Sequence, residues 1–135
     1  MIVLPLEAPA VIRHVLLRWR AWEVQVPNYD APSWHLAGYL SVERCAKVSS
    51  ALDYISAPGD EARSKTGSVY DLLSPPGADE DAERLWKFWQ RKHRVTVLRD
   101  VTAHVLAGHQ PRVVRLIQPV ASEDMAASLR GQRKW

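Results

Sequence analysis

The segment Asp79-Glu80-Asp81-Ala82-Glu83-Arg84-Leu85-Trp86-Lys87-Phe88-Trp89-Gln90-Arg91-Lys92-His93 constrains the fold most. Its acids come first, its bases last, and Ala82, Leu85, Trp86 and Trp89 recur at the spacing of one helix face. Asp79 is placed to cap a helix over residues 79–92, with Glu80, Asp81 and Glu83 at the positive end of its dipole. Glu80 with Arg84, and Glu83 with Lys87, stand at the favourable four-residue separation. A helix with an indole stripe needs a surface to dock on, so the rest of the chain must supply one.

The same segment marks where the charge changes sign. Through Glu83 there are 7 Lys/Arg against 12 Asp/Glu, a balance of −5. From Arg84 onward there are 11 against 3, a balance of +8, which leaves the net +3. At 135 residues, 47% hydrophobic and 24% charged, the chain suits a single globular domain over 1–135, with residues 131–135 as a basic tail. No apolar run approaches the roughly 20 residues needed to span a bilayer, and no basic segment precedes an apolar core as in a signal peptide. Cys45 is the only cysteine, which excludes an intrachain disulfide and fits a reducing compartment. The expectation is a cytoplasmic protein. The six tryptophans are expected mainly in the core, with Trp135, at the end of a polar basic tail, as the exception.

Ile12, Val15, Leu16, Trp19 and Trp22 fall at helical spacings, so a helix over Glu7–Trp19 running into a strand over Ala21–Val26 is expected. From Trp34 to Glu43 the period becomes two, as a half-buried strand requires. Residues 46–49 and 51–56 read as strand, Pro58-Gly59 as a type II turn, and 64–73 as a further strand or hairpin arm with a bend at Gly67. Short strands joined by turns suggest an antiparallel meander. After the 79–92 helix, Val95–Leu98 reads as a strand and Asp100 or Thr102 as the cap of a helix ending before Gly108. Residues 112–117 fit strand or helix, and residues 122–131 carry the start and stop signals of a last helix. The fold class is therefore α+β: a single domain with an antiparallel meander packed against the Trp-bearing helix and short C-terminal helices.

The chemistry-bearing motifs are mostly absent. There is no phosphate-binding glycine loop, no H-E-x-x-H and no C-x-x-C. His14, His35, His93, His104 and His109 contain no pair at the four-residue helical spacing, and isolated surface or capping histidines are expected. Cys45, in a predicted strand, reads as a small apolar filler before it reads as a nucleophile. No catalytic residue, cofactor or metal is assigned, and a non-enzymatic role is favoured. The basic second half is the remaining signal. Arg84, Lys87, Arg91, Lys92, Arg94 and Arg99, with Trp135, are the candidate contacts for a macromolecular partner. A protein partner is expected first, nucleic acid second, and homo-oligomerisation satisfies the same observations; no membrane contact is expected.

The signatures Trp34-His35-Leu36-Ala37-Gly38-Tyr39, Val48-Ser49-Ser50, Thr66-Gly67-Ser68-Val69-Tyr70-Asp71-Leu72, Pro75-Pro76-Gly77, Asp81-Ala82 with Trp86 and Trp89, and Asp100-Val101-Thr102 resemble short uncharacterised proteins of proteobacteria and their prophages. The resemblance covers roughly residues 34–102 and transfers no site residue. It implies a small accessory protein carried by a mobile element, of the kind that acts by occluding or sequestering a host or competing factor.

Overall fold

A computed structural model describes residues 11–117. Its centre is β1 (Arg13–Gln25), which runs as strand through the region where helical spacing had suggested a helix. The reason is local. Arg18 adopts a positive φ of 46°, and the pairing with the next strand slips between Leu17 and Arg20. This bulge puts Leu16 and Trp19, three apart, into the same core, so a strand with an extra residue imitates a helical repeat. Ile12 and Val15, which a helix would have buried with them, are exposed.

The remaining strands are β2 (Ser33–Leu40), β3 (Cys45–Val48), β4 (Leu52–Ile55), β5 (Glu61–Ser64), β6 (Val69–Asp71) and β7 (Thr96–Asp100). They form one seven-stranded sheet in the order β3-β2-β1-β6-β5-β4, with β7 also paired to β1. The long β1 serves three neighbours. One edge carries β2 antiparallel; along the other edge its first residues pair with β6 and its last with β7. The β1–β6 pairing is parallel, so the sheet is mixed and not a pure antiparallel meander. A meander rule links only neighbours in sequence, whereas β1 and β6 pair directly although four strands separate them along the chain.

The Ser56–Gly59 turn departs from the expected pairing of Pro58 and Gly59 as its two central residues. Gly59 N–H bonds Ser56 C=O at 2.8 Å, with Gly59 at φ 76°, so Pro58 takes the second central position and not the first. The 64–73 region is the turn and second arm of a hairpin: β5 ends at Ser64, the chain reverses at Gly67, and β6 follows from Val69. The β2 strand ends at Leu40 and the chain turns through Ser41–Arg44. It is also buried on both faces, because the main core lies on one side and a helix on the other.

Two helices complete the described fold: α1 (Glu80–His93) and α2 (Thr102–Leu106). The main core joins Leu16, Trp19, Leu36, Leu52, Ile55 and Tyr70 of the sheet to Val101 and Val105 at α2. On the opposite face α1 packs against β2 and β3, its Trp86 meeting Val24 and Ala37. Residues 111–117 run extended; Leu116 bridges Tyr29, and Val114 is buried beside Ala31 and Ala51. No described helix is long and apolar enough to cross a membrane. Trp19, Trp34 and Trp86 are buried, in keeping with the expected core role, while Trp22 and Trp89 are half-buried. The expected helix over 122–131, the tail 131–135 and Trp135 lie outside the described residues.

Candidate binding groove beside the first helix

Asp79 sets where α1 begins. Its carboxylate accepts the Ala82 N–H and the Arg18 Nε–H, both at 2.9 Å. Burial opposes ionisation of Asp79, but these bonds outweigh it and hold the carboxyl below its ordinary range. The helix start is thereby tied to the bulge of β1. At the other end Arg94 takes the left-handed conformation, with its N–H on Arg91 C=O and the Val95 N–H on Gln90 C=O. That is a Schellman closure, and Val95 packs into the cluster beneath α1 as the motif requires.

The sheet-facing side of α1 is aromatic. Trp86 stacks on Trp22 with centroids 5.9 Å apart and on Trp89 at 5.3 Å, both nearly parallel. Trp89 in turn meets His93 and His35, each at 4.8 Å. His35 is buried, with Nε2 2.7 Å from Ser33 Oγ and Nδ1 2.9 Å from Ser49 C=O. Burial lowers its pKa to about 4, so it is a neutral core residue and not the surface histidine expected.

Because α1 lies over β2 and β3, the β1–β7 part of that face is left uncovered. The result is a groove of about 600 Å³, within the size range of ligand pockets. Trp22, Trp86 and Val97 give it apolar walls, Gly77 and Ala78 close one side, and Arg20, Glu83, Lys87 and Gln90 form a polar rim. Arg20 is engaged by Asp100. Lys87 is not engaged: the expected Glu83–Lys87 pair does not form, whereas Glu80 reaches Arg84 at 4.0 Å and Asp81 also bonds it. Beside the groove, β7 pairs only with β1 among the described residues, and all five of its residues are exposed.

The six described basic candidates do not form one patch. Lys87 is on the groove rim, while Arg91, Lys92 and Arg94 cluster at the exposed end of α1; none of the four has an ion-pair partner among the described residues. Arg84 is neutralised by its helix neighbours. Arg99 lies on the opposite face of the sheet and bonds Glu23 at 2.9 Å. That bond, with a further one from Trp34 Nε1, holds Glu23 below the usual carboxylate range against the effect of burial.

Several groove residues had no functional signal in sequence. Trp22 and Val97 read only as strand positions, and Gly77 and Ala78 as a chain break. Phe88 could have been found, since it falls off the indole stripe. It is 52% exposed and flanked on the helix surface by Arg84, Arg91 and Lys92.

Among the described residues no catalytic grouping is assembled. Cys45 is exposed and hydrogen-bonds to no histidine. It is not the buried filler expected, because β3 is the last strand at its end of the sheet. Among the described residues no three His, Cys, Asp or Glu side chains converge as metal ligands. No family model matches the chain, and neither a curated protein nor a solved structure is similar to it.

Proposed function

We propose that this is a non-enzymatic binding protein that captures an acidic protein partner along α1, taking an apolar or aromatic side chain of that partner into the groove over Trp22 and Trp86. The observation that carries the reading is the groove itself: preformed, indole-walled and rimmed by Lys87, which has no ion-pair partner among the described residues. Apolar walls supply affinity on desolvation, and Lys87, Arg91, Lys92 and Arg94 supply attraction for carboxylates. The open edge of β7 offers an extended partner segment backbone hydrogen bonds next to the same groove. The resemblance to short prophage-associated proteins supports an accessory role of the occluding or sequestering type. The free, exposed thiol of Cys45 suits a reducing cytoplasm.

A second reading rests on Phe88. An exposed ring flanked by cations also suits stacking on an unpaired base beside neutralised phosphates. Capture from native host lysate with and without nuclease separates the two. Retention of the same protein after nuclease supports protein binding. Loss of all captured material on nuclease treatment, with binding to single-stranded oligonucleotides that weakens steeply with salt, supports the second reading.

A further inference from the structure

We infer that His104 and His109 form a two-imidazole site for one divalent transition-metal ion, Cu2+ or Ni2+. The two residues are five apart in sequence, a spacing that suits no regular helix face. The end of α2 brings them together. Gly108, at φ 75°, reverses the chain; its N–H bonds Val105 C=O at 2.9 Å and the His109 N–H bonds His104 C=O at 3.0 Å. This Schellman closure is held from below, since Val105 is in the main core and the Gln110 side chain donates to and accepts from the Ile55 backbone. The imidazoles therefore stand on a fixed frame, with Nδ1 of His104 3.0 Å from Nδ1 of His109.

That separation is within reach of a shared ion. With metal–nitrogen bonds of about 2.0–2.1 Å, two ligands at a right angle lie about 2.9 Å apart, and two at the tetrahedral angle about 3.4 Å. The observed 3.0 Å is a hydrogen-bond separation close to both values, so small turns of the two rings converge their nitrogens on one ion; imidazole suits Cu2+ and Ni2+, and Cu2+ forms the stronger complexes of the two. His109 is exposed and His104 partly so, which leaves the other coordination positions to water.

In the metal-free chain one proton is shared along the Nδ1–Nδ1 axis. Coordination uses both Nδ1 lone pairs, so the His104 proton moves to Nε2. That step gives up the 3.4 Å contact from Arg99 Nη1, which turns away because both nitrogens are then donors. Arg99 keeps its shorter bond to Glu23, whose carboxylate offsets the guanidinium charge beside the ion.

The test is calorimetric titration of the whole chain with CuCl2 and with NiCl2 in a non-chelating buffer at neutral pH. One ion is expected per chain, Cu2+ binding more tightly than Ni2+. His104→Ala and His109→Ala should each weaken binding by about tenfold or more, with far-UV circular dichroism unchanged. In the unaltered chain, substoichiometric Cu2+ should broaden the ring resonances of His104 and His109 before those of His14 and His93. Identical isotherms for the wild type and both variants overturn the proposal. So does broadening that begins at another histidine, a result that stands even if a variant folds poorly.

Discussion

Arg94 closes α1 with φ 54° and ψ 41°, a conformation in which a Cβ crowds the following carbonyl and which glycine adopts freely. The side chain forms no ion pair among the described residues, so its removal loses no such contact there. Arg94→Gly is expected to raise stability by about 0.5–1 kcal/mol, seen as a higher urea midpoint. A lower midpoint would show that the arginine makes a stabilising contact that outweighs its strain. His35 presents the opposite balance, a buried ring that the folded chain keeps neutral. Its folded pKa of about 4 lies below the ordinary 6.5, so the unfolded chain binds the extra proton first. Its contribution is complete above pH 6.5, declines as pH falls, and is lost through pH 4, by about 3 kcal/mol in total. Urea midpoints at pH 7 and pH 4.5 should differ accordingly, and His35→Gln should flatten that dependence. An equally steep fall in the variant would place the titrating group elsewhere.

At the scale of elements, the end of α2 and the Ser56–Gly59 turn meet backbone to backbone. A Cβ on Gly108 would stand 2.0 Å from Ala57 C=O, and one on Gly59 would stand 2.4 Å from Leu106 C=O. Neither obstacle is a flexible side chain, and both glycines have positive φ. Gly108→Ala should therefore destabilise by about 2 kcal/mol or more and raise amide exchange across α2 in hydrogen-exchange measurements. Unchanged exchange would show that the turn can retreat. The elements differ in how plainly the sequence announced them. For α1 every signal is local: a capping Asp79, acids then bases, and a stripe of indoles. Its span was legible to within a residue. β1 was misread because a bulge at Arg18 changes its period from two to three, which no short window distinguishes from a helix turn. β2 showed its alternation, but His35 looked like an outward-facing polar residue. Its partners, Ser33 and Ser49, make it a buried one. Parallel pairing of β1 with β6 joins residues more than fifty positions apart, and no local rule reaches that far.

Across the whole molecule the charge split foreseen from sequence is partly undone by folding. Arg99 reaches back to Glu23 and Arg20 forward to Asp100, while the four cations from Lys87 to Arg94 remain unpaired among the described residues. The groove was not legible at all, because its walls come from β1, β7, α1 and the Gly77-Ala78 loop. Its existence follows from a count of layers: α1 packs mainly on β2 and β3 and reaches β1 through Trp86, which leaves the β7 side of that face open among the described residues. The charge term and the groove term can be tested separately. Lys87→Glu should weaken capture of a protein partner and reduce its sensitivity to NaCl, since an attractive charge becomes repulsive. Equal capture would remove Lys87 from the interface. The groove is probed most directly by Ala78→Trp, which places a large ring in it from an exposed loop position and leaves the core residues in place. The measurement is nuclease-treated capture from native host lysate, wild type against Ala78→Trp, with circular dichroism to show that both are folded. The account predicts a protein bound by the wild type and lost from the variant; the same protein retained at the same yield by the filled groove would contradict it.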